Sequence, residues 1–410
     1  MSSDRLSEQG EKIKFIYKGI EMSGIVVSHD SRQFNIKLSS GYNISVPNDS
    51  IEITESERIQ VSHQHSSPSH DQDAEVEIIA TGGTIASRVD YITGAVTPVF
   101  DPGILGENIP NINSFRYDVK IMDPILSENM TPEIWQNIGN MVKESQMVGR
   151  STIILHGTDT MAYTASALAF MFRSLHRPVI LVGSQRSSDR PSTDAFLNLE
   201  AALEFSRINI GEVGICMHSS ISDTSVSLLR GVRTRKMHSS RRDAFRSPGV
   251  PPMASYVNGS SSVNPDTTPC STDSLDFKPS LEKKVSLVYF HPMMEPEDFS
   301  ALSEGKKIVV IAGTGMGHVS SKLFEPLKEL SKEGTRFMMT TQCLGGRVDL
   351  DVYSTGRRLT ELGVIPLGDM FPETALVKAM HVAANYPEEK FRETMISNMR
   401  GEILSREVEF

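Results

Sequence analysis

Between Glu11 and Glu55 apolar and polar residues alternate in short runs, KIKFIYKG, IEMSGIVVSHD, QFNIKLSS and YNISVPND, separated by Gly, Asp, Ser and Asn. A two-residue period broken by turn residues predicts a small β-barrel or meander, assigned to residues 1–56. No aromatic-plus-basic set of the kind that stacks bases stands out there, so a docking or structural role is favoured over direct RNA contact. The following SERIQVSHQHSSPSHDQD has no period and reads as a polar linker over 57–74. From Val76 short apolar runs alternate with helical patterns. Strands are expected at Val76–Ala80, Val119–Met122, around Ile153, at Val179–Val182 and at Val213–Met217. Helices are expected at Thr131–Gln146, Thr160–Leu175 and Thr193–Arg207. This is an α/β unit with a mainly parallel sheet, assigned to 75–262. In the second of those helices Met161, Ala165, Leu168, Ala169 and Phe172 share one face, which predicts a core-facing stripe. Gly249–Ser280 is rich in Pro, Ser, Thr, Asn and Asp and reads as an interdomain connection, with the connection proper placed at 263–284. A smaller α/β unit over 285–410 is expected to carry strands at Val285–Phe290, Ile308–Ala312 and Arg336–Thr340, and helices at Ser321–Lys332, Glu373–Tyr386 and Glu388–Ile403.

Length and charge narrow this picture. The 410 residues suggest two or three domains, and a formal net charge of −10 makes the chain as a whole a poor binder of nucleic acid. The only strong basic run, Arg230, Arg233, Arg235, Arg241, Arg242 and Arg246, reads as a solvated or partner-facing loop or as a tRNA contact. The start lacks the apolar core of a signal peptide, and no run of about 18 apolar residues is present to span a bilayer, so a cytoplasmic location is expected. Three distant cysteines, Cys216, Cys270 and Cys343, fit reduced thiols. His63, His65 and His70, on a Ser/Gln/Asp tract, read as solvated, and no metal site is expected. The loop GTGMGH after the Ile308 strand lacks the spacing of a dinucleotide-binding turn.

Two stretches share one design. VEIIATGGTIA and STIILHGTDTM each run from a buried strand through glycine into hydroxyl groups. In an open α/β sheet ligands bind at the carboxyl ends of strands, where Thr84, Ser127, Thr158 and Asp159 are expected to meet. A threonine nucleophile needs a partner to take its proton, and Tyr91, on the SRVDYITGAV stretch just after the turn, can serve Thr84. Asp159 is expected to open a helix, as a plain N-cap or beside a Thr158 amide that stabilises an oxyanion.

TGGTIA and HGTDTM resemble, in order, the two signature motifs of the bacterial-type L-asparaginase/glutaminase family, over about residues 75–410. The resemblance implies an asparaginase-like two-domain α/β body behind the small barrel. It implies Thr84 as the acylated nucleophile, Tyr91 as a mobile-lid tyrosine, and Lys236 in RTRKMHSSRRDAF as the lysine beside Thr158 and Asp159. Buried there, Lys236 could accept a proton, with Asp159 pulling the other way. Ser127 and Glu128 match the family's substrate-holding Ser-Gln pair, with Glu in place of Gln and suited to an α-ammonium; Gly83 and Gly157 join them as substrate-binding positions. Met316 stands where the bacterial enzymes carry an Asn across a dimer interface, which puts free asparagine hydrolysis in doubt. KLSSGYNISV, RKMHSSRRDAFRS, GTGMGH and QCLGGRVDLDVYSTGR further resemble the D-type component family of archaeal glutamyl-tRNA(Gln) amidotransferases over nearly the whole chain. That resemblance implies a glutaminase without a cofactor of its own. It also implies a homodimer flanked by the amidotransferase's E-type component, which uses ATP and Mg to amidate Glu-tRNA(Gln), and tRNA(Gln) held mainly through that partner. A free asparaginase or glutaminase is the alternative, and a non-catalytic adaptor the third; which threonine is attacked first stays open.

Overall fold

The computed structural model describes residues 11–38, 43–58, 73–83, 85, 87–89, 96–98, 109, 112–188 and 192–405. The three histidines of the expected linker, and Thr84 and Tyr91, lie outside the described residues. The amino-terminal strands are β1 Glu11–Tyr17, β2 Ile20–His29, β3 Gln33–Leu38, β4 Asn43–Pro47 and β5 Ile51–Arg58. They form one antiparallel sheet in the order β4-β3-β2-β1-β5. Lys18 and Gly19, at φ 53° and 75°, make the two-residue hairpin turn whose twist matches the flanking strands. Ile13, Phe15, Val26, Phe34, Ile36 and Val46 close the core on one face. Among the described residues β4 and β5 do not pair, so the unit is a curled meander with a returning strand rather than a fully hydrogen-bonded barrel.

The large sheet has eight strands. Its parallel part comprises β6 Val76–Ala80, β9 Tyr117–Ile121, β10 Ser151–Leu155, β11 Val179–Val182 and β12 Val213–His218. A short antiparallel pair, β7 Ser87–Val89 and β8 Val96–Pro98, falls between the first two of these in sequence. The order β12-β11-β10-β6-β9 puts β9 on one side of β6 and β10 on the other, so the chain reverses its winding at β6. A crevice opens at such a switch point. Helix α1, Pro132–Met147, begins as the pattern predicts, with the Thr131 hydroxyl accepting from the Ile134 amide.

Helix α2, Met161–Met171, is shorter than the expected Thr160–Leu175 and is not one-sided. Nine of its residues are buried, because it is sandwiched between the large sheet and α7, Pro372–Asn385, of the second unit. Phe172 leaves the helix to bridge Phe277. Helix α3 spans Ala195–Ser206.

The stretch expected to be an irregular connection contains a hairpin. β13 Ser225–Arg230, β16 Ala254–Val257 and β17 Ser260–Val263 extend the sheet antiparallel, and Asn258-Gly259, at φ 49° and 82°, form the turn. The Asn-Gly dipeptide carried that signal; the Ser-rich, exposed β17 hid it.

The second unit is a parallel sheet ordered β18 Val285–Tyr289, β19 Ile308–Gly313, β20 Arg336–Thr341 and β21 Ile365–Pro366. Its helices are α4 Pro296–Ser303, α5 Phe324–Lys332, α6 Ser354–Glu361, α7 and α8 Phe391–Ile396, so the last helix stops well short of the expected Ile403. Beyond it the chain is pinned by charge rather than by helix. Lys378 on α7 and Glu402 pair at 2.6 Å with both side chains fully buried, and Lys378 also donates to the carbonyls of Met395 and Ser397. Arg233 of the large unit is likewise buried against Asp369 at 3.2 Å. Its guanidinium also donates to the carbonyls of Asp369, Glu402 and Pro248 and lies over the Phe371 ring. Among the described residues no helix is long and apolar enough to cross a membrane, and Cys216, Cys270 and Cys343 are free.

Removing one partner of such a pair leaves a bare charge in the core. Glu402→Ala is expected to lower unfolding free energy by about 3–5 kcal/mol in urea denaturation, while Lys378→Met combined with Glu402→Leu should recover most of the loss.

Candidate active site

Three loops meet at the carboxyl ends of β10, β6 and β9. Thr81, the first residue after β6, is spent on the scaffold: its amide and hydroxyl both donate to the Leu155 carbonyl, at 3.1 and 2.8 Å. Gly82 and Gly83 then turn the chain at φ 111° and 82°. A Cβ on Gly83 would lie 2.4 Å from the Gly157 nitrogen, and one on Gly157 would lie 2.6 Å from the Ser127 Cβ. Gly83 therefore touches the Gly157 backbone and Gly157 the Ser127 side chain, closer than a Cβ allows at either position. Gly83 and Gly157 thus have a packing role that the sequence did not reveal.

The loop after β10 carries Thr158, buried, and Asp159, whose side chain is 67% exposed. Lys236 reaches both: Nζ stands 2.8 Å from Thr158 Oγ1 and 2.8 Å from Asp159 Oδ1. Its backbone lies on the short strand β14, Arg235–Lys236, which pairs with β15, Phe245–Arg246. The neighbouring Arg235 pairs with Glu373 at the start of α7 at 3.2 Å, so the lysine strand is tied to the second unit. Beside that pair, burial and the Glu373 charge push Tyr163 up to about 12.

The expectation that Asp159 caps a helix is not met. The helix starts at Met161, Thr160 occupies the cap position, and the Thr160 hydroxyl donates instead to the Ser127 carbonyl at 2.6 Å. The Asp159 carboxylate goes to the lysine, a stronger and closer partner than the helix dipole. Ser127 is buried and Glu128 exposed, on a single 3₁₀ turn, Ser127–Asn129. The described part of the site thus brings together Gly83, Ser127, Gly157, Thr158, Asp159 and Lys236.

Sequence reasoning passed over His156. It is fully buried, with Nδ1 2.6 Å from the Gly157 carbonyl and Nε2 2.8 Å from Thr164 Oγ1. Trp135 Nε1 donates to that same hydroxyl at 3.0 Å. The Gly157 carbonyl can only accept, so the ring proton sits on Nδ1, and Thr164, which accepts from the indole, donates its hydroxyl to Nε2. Burial pushes His156 down to about 4, so it holds the loop as a neutral ring. The chain's single tryptophan was the available signal.

The basic run is not a free positive surface. Arg230 pairs with Glu212, Arg235 with Glu373, Arg241 and Arg246 with Asp243, and Arg242 with Asp223, while Arg233 is core. The GTGMGH loop is a tight turn closed by a Thr314–His318 bridge, and a Cβ on Gly317 would meet Val348 at 2.7 Å, so Gly317 serves packing. Met316 is half-buried there, and its carbonyl accepts from the Asp349 amide. Among the described residues no group of three or more His, Cys, Asp or Glu side chains is placed to hold a metal.

Residues 75–269 match the family described as "Asparaginase, N-terminal" and residues 284–395 the "Glutaminase/Asparaginase C-terminal domain", which makes the body an asparaginase-type two-domain α/β amidohydrolase. The thermostable L-asparaginase from Thermococcus kodakarensis superposes with a TM-score of 0.73 at 31% identity, covering 80% of this chain and 99% of that one. L-asparaginase I from Vibrio cholerae gives 0.70 at 29%, covering 81% and 99%. The D-type component of glutamyl-tRNA(Gln) amidotransferase from Thermoplasma acidophilum is 43% identical over 401 residues, 97% of this chain and 98% of that protein. Its counterpart from Saccharolobus islandicus is 43% identical over 423 residues, 97% and 93% of the two. The chain belongs to the D-type component family of glutamyl-tRNA(Gln) amidotransferases.

The neutral His156 sets a pH dependence. Its ordinary value is 6.5, and in the fold it is about 4, so between these the unfolded chain binds the extra proton. Stability is full above about pH 6.5 and falls as pH drops toward 4, by roughly 3 kcal/mol from this group. His381, also pushed down to about 4, adds a loss of the same sign. Urea unfolding of wild type and His156→Asn from pH 7 to 4.5 should show a markedly shallower loss in the variant.

Proposed function

We propose that this chain is the glutaminase half of a tRNA-dependent amidotransferase, with Thr84 as nucleophile and Thr158, Asp159 and Lys236 as the second catalytic group. The observation that carries the reading is the Lys236 ammonium set at 2.8 Å from both Thr158 and Asp159, on the loop whose Gly157 packs against Gly83. The Thr84 hydroxyl attacks the side-chain amide carbon of glutamine; its proton leaves through Tyr91 to the departing nitrogen, and the tetrahedral adduct breaks to a threonyl ester and ammonia. Water, activated by Thr158 with Lys236 and Asp159, then cleaves the ester to glutamate and restores the threonine. Ser127, Glu128 and the amides around Gly83 and Gly157 hold the amino acid, Glu128 taking its α-ammonium.

The amino-terminal sheet supports the amidotransferase reading over that of a free asparaginase. The similarity to the D-type components spans 97% of the chain and so includes residues 11–58, which precede the asparaginase-type body beginning at residue 75. In this reading two copies of the chain assemble in the cytoplasm with the E-type component, which binds ATP and Mg and most of the tRNA(Gln) and receives the ammonia. Met316 in place of an inter-subunit asparagine points the same way.

Thr84→Ala and Lys236→Ala should each cut ammonia release from glutamine by on the order of a thousandfold without loss of fold, read by coupled ammonia assay and circular dichroism. Glu128→Ala should raise KM for glutamine more than it lowers kcat.

Turnover should also depend on the assembly. Ammonia production by the chain alone should be slow and should rise about a hundredfold with partner and Glu-tRNA(Gln), a shift of about 3 kcal/mol toward a closed site. Equal, rapid hydrolysis of glutamine and asparagine by the isolated chain would establish the free-hydrolase reading instead.

A further inference from the structure

Far from the amide chemistry, the carboxyl end of α2 opens onto a cavity of about 310 Å³ between the two units. Arg173 enters it from just beyond α2, Asp276 and Lys278 from the connecting segment, His381 and Tyr386 from the end of α7, and Arg400 from the carboxyl-terminal segment. Helix α2 has 11 residues, so its two ends are separated by about 16 Å. Thr158 and Asp159 precede one end and this cavity lies at the other.

The charges there do not balance. Of the lining residues three are cations and one is a carboxylate; Glu402 and Glu212 act on Arg400 from outside the lining, but among the described residues Arg173, Lys278 and Arg400 form no ion pair. Lys278 has only the Tyr386 ring beneath its ammonium, at 4.6 Å. Arg400 is the most telling: its Nη2 is buried without a hydrogen-bond partner. An unsatisfied guanidinium nitrogen in such a place costs free energy that a ligand acceptor would recover. Other arginines nearby are treated differently. Arg230, on the far side of Arg400, is held by both oxygens of Glu212, at 2.6 and 3.0 Å.

The fourth group is a neutral donor. Burial, then the charges of Lys278 and Arg400, push His381 down to about 4. Asn385 Nδ2 lies 3.3 Å from His381 Nδ1, which leaves that nitrogen bare and places the ring proton on Nε2. Two arginines, a lysine and a neutral histidine line one small space in a chain whose formal net charge is −10. Guanidinium forks match the paired oxygens of a phosphate, and its charge offsets the crowded cations.

We propose that this cavity is a phosphate-binding site, taking either the free anion or a phosphate of a nucleic-acid backbone. An anion seated there touches the large unit through Arg173, the connection through Lys278 and the carboxyl-terminal segment through Arg400, so it clamps the seam behind α2. Asp276 is the element that limits its affinity.

Equilibrium dialysis of the full chain with labelled inorganic phosphate at low ionic strength tests this. One saturable site per chain is expected, with affinity at least tenfold weaker in Lys278→Gln and in Arg400→Gln and several-fold tighter in Asp276→Asn. A mixed-sequence single-stranded RNA oligomer is added as competitor: displacement of phosphate assigns the site to a backbone, and phosphate binding without displacement assigns it to the free anion. Absence of saturable binding overturns the proposal, as does an affinity indifferent to these substitutions. If thermal melting shows that the cation variants do not fold, Asp276→Asn decides alone, and unchanged affinity overturns it. The assay reads binding and not glutamine turnover, so its failure leaves the proposed hydrolysis untouched.

Discussion

The polar mouth of the large sheet depends on approaches closer than a methyl group allows. Gly83 lies against the backbone of Gly157, and Gly157 against Ser127, so the three loops at β6, β10 and β9 are set by mutual contact and not by their own stiffness. This constraint explains why the scaffold consumes polar groups that look available for ligands. Thr81 holds Leu155, Thr160 holds Ser127, and the buried Trp135–Thr164–His156 relay holds the carbonyl of Gly157. What remains for chemistry is the small set around Thr158, Asp159 and Lys236.

The lysine's position in turn belongs to both units. Its strand has two residues, too few to hold itself in place by ladder bonds. Arg235 on one side reaches Glu373 of the second unit, and Arg233 two positions earlier is buried against Asp369 and Phe371. Arg233 and Arg235, which read from sequence as part of a solvated or partner-facing loop or of a tRNA contact, are therefore structural ties across the seam. Guanidinium suits this task because its planar fork satisfies several carbonyls and a carboxylate at once.

How much the sequence disclosed follows from how local each cause is. Strands of the parallel sheet were legible because burial on both faces leaves an uninterrupted apolar run, as in Val76–Ala80 and Val179–Val182. The convergence of Ser127, Thr158 and Asp159 at strand ends followed from the strand order that βαβ units impose. The stripe of Met161, Ala165, Leu168, Ala169 and Phe172 is core as its period implies, but the burial of the opposite face was not legible, because a second unit covers it and no local window records that. Asp159 failed as a cap for a similar reason: its partner, Lys236, is 77 positions away in the chain. The hairpin at Asn258-Gly259 was missed because its outer strand is exposed and serine-rich, leaving only the turn as a signal.

The buried pair of Lys378 and Glu402 bears on the order in which the protein is made. Glu402 leaves the ribosome after every strand and helix of the second unit, yet its side chain neutralises a lysine in the core of that unit, and its carbonyl accepts from Arg233 of the first. Until that segment emerges, Lys378 lacks its counter-ion and Arg233 one of its carbonyl acceptors, so neither unit can finish packing on its own during synthesis. The amino-terminal meander, with its separate core, is complete hundreds of residues earlier. It therefore waits, folded, on a nascent body whose Lys236 strand settles into place only once that late segment has docked.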